Sequence, residues 1–345
     1  MARQQNSAHG AEMNQKRVRR SGSLDATRTG SRQGASSKST ASRSHGAGAR
    51  VQGGAAVKKK KKTSWGSIIV IVLCLAVLIF CGYKIISYFS QQAAENAAFE
   101  KLLADLDLSD ETNTSWGLDS AWMNDSSSEP IVEVGVDEIN IKDIPYLNVN
   151  LAKAKQINSE VLGWFYFSGP SSVYGLPINN ALMKTTNNDH YLNYNVYNEP
   201  NENGAIYMDY RNYNDILKNR NTIIYGHARS NRAFAGLKYL NTTQRWYLDA
   251  NNHFIKIQTG DVNTVWQVFS WYETTSTADY TRINFSSDQE FIDYANKLQS
   301  RNQIPQLQTF TFTADSKILT LSTCKGLDES KRVAVHAVLV KSTPA

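Results

Sequence analysis

An uninterrupted apolar segment from Trp65 to Tyr83 is the feature that most constrains how this chain can fold. No charged residue occurs between Lys62 and Lys84. At about 1.5 Å per residue, a helix of this length crosses the roughly 30 Å hydrocarbon core of a bilayer. The segment is too long, and too far from the N-terminus, to resemble an ordinary cleaved signal peptide. We therefore predict one transmembrane helix, with residues 63–89 as the membrane anchor.

Charge on the two sides of this anchor predicts its orientation. Lys58–Lys62 adjoin its N-terminal side, whereas Lys84 is the only basic residue close to its other end. Because cytoplasmic flanks carry the excess of Lys and Arg, we expect residues 1–62 in the cytoplasm and residues 85–345 outside it, in a single-pass membrane protein.

The same charges argue against a nucleic-acid-binding domain. Residues 1–62 hold 15 Lys and Arg against 2 Asp and Glu, a net charge of +13. Because the whole chain carries +6, residues 63–345 carry −7. The basic character thus belongs to the N-terminal tail, where it also serves topology. We expect membrane lipid as a partner through the anchor, and no nucleic acid.

Composition divides the chain into four parts. Residues 1–62 are rich in Ser, Gly, Ala and Arg and read as a disordered basic cytoplasmic tail. After the anchor, residues 90–146 combine a helical stretch at 91–108 with a polar linker rich in Ser and Asp. Residues 147–345 are long enough for one sizeable core and form the predicted extracytoplasmic domain.

Short β-type runs dominate this last part. Runs of apolar and β-branched residues, separated by Asn, Gly, Ser and Asp turns, indicate a barrel or a sandwich. Two helices accompany them, a short one over 150–158 and a longer one over 288–301 with an apolar stripe. The predicted fold class is therefore mainly β. The runs are 161–167, 204–208, 222–225, 254–257, 265–269, 318–321 and 333–340.

Cys324 is the one cysteine outside the apolar segment, since Cys74 and Cys81 both lie within it. In an oxidising compartment, a thiol without a partner in its own chain is a liability unless its reactivity is used. The alternative is that Cys324 packs as a small buried hydrophobe. Its position in the sequence leaves both interpretations open.

Arg332 begins the strand that follows Cys324. A hairpin-like connection would bring the two side chains together. A fixed guanidinium beside a thiol can lower the thiol pKa, or bind the oxyanion that forms when a thiolate attacks a carbonyl. The alternative is a surface charge at a strand end, and spacing alone favours it.

A cysteine nucleophile needs a general acid and base, and histidine is the usual one. His227 follows a strand closed by Gly226, which places it on a loop at a strand end, where catalytic groups tend to lie. His336 is expected to pack in the middle of its strand. His190 and His253 are expected at the surface, because both lie in polar loops.

Other kinds of site find little support in the sequence. It contains no CxxC pair, no zinc-type spacing of His and Cys, no Gly-rich phosphate loop and no Gly-x-Ser-x-Gly. Paired carboxylates stay possible, because acidic residues are scattered through the loops. We expect neither a metal nor a cofactor.

Several stretches resemble the sortase family, and they are most similar to class B. Thr320–Cys324 reads Thr-Leu-Ser-Thr-Cys, which matches the TLxTC signature with the Ser that is typical of class B. Tyr225–His227 precedes this signature, and Arg332 follows Cys324 by eight residues. The resemblance covers roughly residues 147–342. Further similar stretches are Asn158–Trp164, Gly204–Asn212, Phe234–Lys238 and the helix over 288–301.

The resemblance implies an eight-stranded β-barrel with flanking helices. It also implies a cysteine transpeptidase that cleaves the C-terminal sorting signal of a secreted protein and joins that protein to an amine of a peptidoglycan precursor, with hydrolysis as a side reaction. Cys324 would form a thioester, His227 would transfer the proton and Arg332 would stabilise the oxyanion. The implied contacts of the sorting signal are Ser322, Thr323 and Tyr280.

Two residues depart from the family pattern. Ala228 follows the histidine where sortases often have His or Asn, and Lys325 stands where acidic residues are often found.

Two alternative functions stay open. A pilus-polymerising sortase would join protein subunits, but no Asp-Pro-aromatic lid segment precedes the domain. A non-enzymatic, wall-facing binding module would bury Cys324, and a packed thiol reacts with a probe only after unfolding.

Overall fold

Eight strands close into one barrel in the computed structural model, within the residues that it describes. These are residues 64–108, 133–170, 177–229, 232–242, 244–324 and 330–345. The strands are β1 (Val161–Phe167), β2 (Ile178–Met183), β3 (Ile206–Met208), β4 (Asn221–Tyr225), β5 (Phe254–Thr259), β6 (Val262–Thr275), β7 (Ile318–Cys324) and β8 (Lys331–Pro344). Their order around the barrel is β1-β2-β3-β4-β7-β8-β6-β5. The predicted mainly-β barrel is thus confirmed.

Helices cover parts of the barrel's outer surface. The α-helices are α1 (Trp65–Asp105), α2 (Leu151–Ile157), α3 (Gln244–Leu248) and α4 (Asp288–Ser300). Short 3-10 helices lie at Val136–Glu138, Ile141–Asp143, His190–Leu192, Ile216–Lys218, Ala235–Thr242 and Ala250–His253. The two helices predicted after residue 147 are therefore present as α2 and α4.

Alternate residues of the strands fill the barrel interior, because successive side chains of a strand point to opposite faces. Phe165 and Phe167 of β1 and Leu319 and Leu321 of β7 belong to this buried cluster. A second cluster lies under the end of α1 and under α2, and includes Trp164 from the other face of β1. A third cluster packs α4 against β6, β7 and β8. The barrel is thus buried on both faces where helices cover it.

Strand β2 is absent from the sequence prediction, and its composition explains why. It reads Ile-Asn-Asn-Ala-Leu-Met, so its first half resembles a polar turn. In the structure Asn179 and Asn180 pair with Tyr166 and Phe165 of β1. The side-chain oxygen Oδ1 of Asn179 accepts a hydrogen bond of 2.6 Å from the Trp164 indole. Tertiary contacts therefore give these asparagines partners that local sequence does not reveal.

Helix α1 is one uninterrupted helix of 41 residues, where the sequence indicated an anchor and then a separate helix. Its large apolar side chains from Trp65 to Phe89 are exposed, whereas Phe99 and Leu102 are buried against the barrel side. Among the described residues, α1 is the helix long and apolar enough to cross a membrane. The predicted tail at 1–62 and most of the predicted linker, residues 109–132, lie outside the described residues.

Candidate functional site

His227 and Cys324 lie at the same edge of the barrel because β4 and β7 are parallel neighbours. Tyr225 pairs with Ser322 in this sheet, and the Gly226 amide donates to the Ser322 carbonyl over 3.4 Å. Cys324 follows Ser322 by two residues, as His227 follows Tyr225. The topology therefore brings both residues to the same level of the barrel, although β5, β6 and α4 lie between them in the chain.

Arg332 is the direct cross-strand partner of Cys324 in the antiparallel pair of β7 and β8. Directly opposed residues on one face have Cβ atoms about 4.5–5.5 Å apart. Both residues are half-buried, and Cys324 is a free thiol. The guanidinium of Arg332 donates to the carbonyl of Lys331 over 3.1 Å, which orients it at the strand end. The predicted juxtaposition is thus present, and the thiol is not sealed in the core.

The imidazole of His227 is held by a backbone carbonyl. Its Nε2 lies 2.9 Å from the carbonyl oxygen of Leu192, which can only accept, so Nε2 carries the proton. In the neutral ring, Nδ1 is then the nitrogen that can accept a proton. Gly226 precedes the histidine where a Cβ would come within 2.9 Å of the Phe234 ring, so this close packing requires glycine.

Tyr280 and Ser322 meet beneath the candidate site. The Tyr280 hydroxyl and the Ser322 hydroxyl are 2.9 Å apart, and both residues are buried. Burial raises the pKa of Tyr280, while the bond to Ser322 and the charge of Arg332 oppose that rise. Ser322 shares the face of Cys324. Thr323 is also buried and lies on the opposite face, with the interior residues of β7.

A buried carboxylate next to the site went unnoticed in the sequence. The Asp209 side chain is fully buried and accepts hydrogen bonds from Arg211 at 2.9 and 2.7 Å and from the Tyr225 hydroxyl at 2.9 Å. Burial raises the pKa of Asp209, but these hydrogen bonds outweigh burial, and the net shift is downward. The signal was the stretch Gly204–Asn212, which the family resemblance singled out without a role for its acidic residue.

Tyr207 is the aromatic neighbour of Tyr225, which donates a hydrogen bond to this carboxylate. It packs against Tyr225 with ring centroids 5.5 Å apart. Burial raises the pKa of Tyr207, the negative charges of Asp189 and Asp209 raise it further, and the charge of Arg332 opposes the rise. Tyr207 and Tyr225 therefore form an aromatic pair that adjoins both the Asp209–Arg211 ion pair and β7.

His336 and His253 lie outside this group. His336 is fully buried in the middle of β8, between the Thr320 and Tyr272 hydroxyls at 2.9 Å each, as its predicted packing role requires. His253 was predicted at the surface, and that prediction is wrong. Only 1% of His253 is exposed, and its Nε2 lies 2.9 Å from the Trp246 carbonyl oxygen. The polar residues around it form a 3-10 helix that turns this side chain inward.

The chain is similar in sequence to known proteins of one family. A family model described as Sortase domain matches residues 189–340. Sortase B of Staphylococcus aureus (strain NCTC 8325) is 28% identical over 282 residues, which are 79% of this chain and 96% of that protein. Sortase B of Listeria monocytogenes is 32% identical over 191 residues, which are 53% of this chain and 72% of that protein. The chain belongs to the sortase family.

Both relatives are class B sortases, so this sortase is class B-like, as the Thr320–Cys324 signature predicted. Sortases are cysteine transpeptidases, and the chain is an enzyme of this kind. The residues matched by the family model include His227, Cys324 and Arg332. A crystal structure of a Staphylococcus aureus sortase B–substrate complex aligns with 55% of this chain and 84% of its own length, at 30% identity and a TM-score of 0.48.

Proposed function

We propose that the chain is a membrane-anchored sortase that cleaves a C-terminal sorting signal through a thioester on Cys324. The observation that carries this proposal is the barrel edge where a half-exposed thiol faces Arg332 and lies level with His227. A nucleophile, a proton carrier and an oxyanion donor are the three parts that acyl transfer requires. Here they come from the ends of adjacent strands.

In the first step, His227 takes the proton of the Cys324 thiol, and the sulfur attacks the Thr carbonyl of the sorting signal. The carbonyl oxygen gains negative charge, and Arg332 stabilises that oxyanion. The C–N bond then breaks, His227 gives a proton to the departing amine, and the thioester remains on Cys324. Covalent catalysis divides one difficult amide exchange into two easier steps.

In the second step, an amine of a peptidoglycan precursor attacks the thioester. His227 takes a proton from the attacking nitrogen, the C–S bond breaks as the new amide forms, and His227 returns that proton to the departing Cys324 sulfur. Water in place of the amine gives hydrolysis as the side reaction. Because Nε2 of His227 is occupied by the Leu192 carbonyl, we assign the proton exchange to Nδ1.

Ser322 and Tyr280 support the substrate side of the proposal. Their hydroxyls hold each other directly beneath the face that carries Cys324. Thr323 points to the interior face, so its contribution would pass through the β7 backbone. The segment around Tyr280 follows the end of β6 and contacts Ser322 through the Tyr280 hydroxyl.

The proposed cellular arrangement follows from α1. Its exposed apolar length from Trp65 to Phe89 supports a single membrane crossing. The Lys run at 58–62 supports a cytoplasmic tail at 1–62 and a domain at 147–345 on the outer side. A sorting-signal peptide and a cell-wall amine are the proposed partners on that outer side.

The decisive experiment is to trap the thioester. The full chain, reconstituted in nanodiscs, is incubated with a library of sorting-signal peptides without an acceptor amine, and the protein mass is recorded. We expect an acyl adduct on wild type and on the Cys74→Ala/Cys81→Ala double variant, and none on Cys324→Ala. Peptide turnover by Cys324→Ala above background would refute the assignment.

A further inference from the structure

The backbone of the loop that carries His227 is held at three successive carbonyls. The His227 carbonyl accepts from the Phe234 amide at 3.0 Å, and the Ala228 carbonyl accepts from Lys238 Nζ at 2.9 Å. The Arg229 carbonyl accepts from Gln92 Nε2 at 3.2 Å. The first two donors belong to the barrel domain itself, whereas the third lies on α1. The helix with the apolar segment thus contacts the loop two residues from the histidine.

Gln92 also reaches the segment that holds the imidazole ring. Its amide lies 3.4 Å from the Oδ1 atom of Asn203, which is buried. The same segment contains Leu192, whose carbonyl binds His227 Nε2. The Ala205 amide bonds back to the Tyr191 carbonyl at 2.9 Å, which fastens the two ends of this segment together. One side chain of α1 therefore bridges the two segments that fix His227.

A second contact of α1 lies at the other end of the loop. The Arg232 guanidinium is 4.1 Å from the centre of the Phe99 ring and 2.9 Å from Glu100 Oε1. Phe99 is buried there, and the Arg232 side chain is only 15% exposed. Ion pairs of this kind are worth little when fully exposed, but burial against an aromatic face strengthens them. Helix α1 therefore grips the loop at both 229 and 232.

We propose that α1 is a positioning element for His227 and that Gln92 is its principal contact. This inference rests on the proposed role of His227 as the proton carrier. A loop at a strand end is mobile unless its backbone is tied, and a displacement of about 1 Å can cost about a hundredfold in rate. Gln92 is thus a positioning residue: it acts through the loop and does not touch the substrate.

A purely structural role for α1 makes a different prediction. If α1 only covered apolar surface of the barrel, loss of one hydrogen bond would lower stability and leave the turnover of folded molecules unchanged. If Gln92 fixes the histidine, loss of its donor lowers kcat more than it changes KM, because the acid and base act in the chemical step.

The test compares two variants of the full chain in nanodiscs. Gln92→Glu keeps the shape of the side chain but removes its donors, since a carboxylate only accepts. Gln91→Glu is the matched control, because it adds the same charge one residue away. Among the residues that the structure describes, Gln91 bonds only to Ser87 on its own helix, at 3.5 Å. We expect Gln92→Glu to lose about tenfold in kcat with KM within about twofold, and Gln91→Glu to match wild type.

Two further measurements complete the test. Gln92→Lys restores a donor and should recover most of the lost kcat, while Gln92→Met, neutral and without donors, replaces Gln92→Glu if the latter unfolds. Hydrogen exchange of the amides at 226–229 should be faster in the donor-less variants. Equal kcat and equal exchange in Gln92→Glu and Gln91→Glu would overturn the inference. Absence of turnover in wild type would instead count against the proposed function, and the exchange data would still decide whether α1 holds the loop.

Discussion

Arg332 lies directly across the strand pair from Cys324, and its guanidinium can act there in two physically different ways. As a planar fork, it can give two parallel hydrogen bonds to a carbonyl oxygen or an oxyanion. As a positive charge, it can favour the thiolate over the thiol. The first role depends on geometry that Lys cannot reproduce, whereas the second needs only the charge.

Substitution of Arg332 separates these roles. If geometry matters, Arg332→Lys should lose most of the activity in the chemical step, because one lost oxyanion donor costs about 2.7–4 kcal/mol. If charge alone matters, Arg332→Lys should remain active. We expect the first outcome, measured as kcat and KM, with the pH of half-maximal Cys324 alkylation recorded for Lys and Ala variants. Near-normal kcat in Arg332→Ala would return Arg332 to the role of a surface charge.

His336 and His227 should respond to substitution in opposite ways. His227→Ala is expected to lose about 10²–10⁴-fold in rate, the usual contribution of a general acid and base. His336→Ala removes a buried ring and two hydrogen bonds to Thr320 and Tyr272, so we expect a loss of about 2–4 kcal/mol in the free energy of unfolding. Denaturant titration and turnover per folded molecule measure the two effects. An active His227→Ala beside a folded but inactive His336→Ala would reverse the assignment.

Burial of His336 also predicts how stability depends on pH. Burial, and then the charge of Arg301, lower the pKa of His336 to about 3, and burial lowers that of His253 to about 4. Because the unfolded chain binds these protons near pH 6.5, it gains protons that the folded protein does not take up. Stability should therefore fall as pH decreases from about 6.5 towards about 4. His336→Gln should flatten part of this slope, and an unchanged slope would contradict the assignment.

Asp209 anchors the segment between β3 and β4. Its carboxylate is buried, while Arg211 and Tyr225 both donate to it. Removing one partner of a buried charge pair costs about 3–5 kcal/mol, and the partial exposure of Arg211 reduces that cost. We expect Asp209→Asn to lower the free energy of unfolding by about 2 kcal/mol. Tm and denaturant midpoints measure this.

Asp215→Asn is the matched control for this change. It lies in the same segment and also loses a carboxylate charge, but its pair with Lys218 is exposed. Exposed pairs contribute about 0–1 kcal/mol, so this variant should stay close to wild type. Equal destabilisation by both substitutions would show that Asp209 has no special role in holding the segment.

Periodicity was sufficient for some elements of the fold and not for others. The apolar runs of β1, β4 and β7 and the capped stripe of α4 were predictable, because their burial leaves a local pattern. Strand β2 was not predictable, since the partners of Asn179 and Asn180 lie on β1 and the local sequence of β2 does not reveal them. His253 was misplaced for the same reason, because only tertiary packing against Trp246 buries it.

The candidate site divides in the same way. Cys324, Arg332 and His227 stand at strand ends, which local sequence patterns predict, whereas their proposed roles come from the family resemblance. The Asp209 pair and the contact of Gln92 with the loop were not predictable. Each joins residues whose proximity depends on how distant elements pack, which no spacing along the chain encodes.

At the scale of the whole molecule, the proposed topology can be tested without enzymology. Protease added to intact protoplasts should digest the domain at 147–345 and spare the Lys58–Lys62 side, because positive flanks stay in the cytoplasm. Antibodies against an epitope at each end identify the protected fragment. Digestion of the N-terminal tail, with protection of the domain, would reverse the orientation.

Helix α1 runs without a break from its exposed apolar segment to its contacts with the barrel domain. Its exposed apolar run ends at Phe89, and the first hydrogen bond described from α1 to the barrel domain is made by Gln92. Three residues of helix span about 5 Å. If α1 crosses the bilayer as proposed, the Cys324 thiol is held at a fixed height and orientation relative to the membrane surface. A flexible stalk would instead allow the domain to move over a wide range of positions. Supply of substrate then becomes a two-dimensional search, in which a sorting signal meets the enzyme by lateral diffusion at matching height.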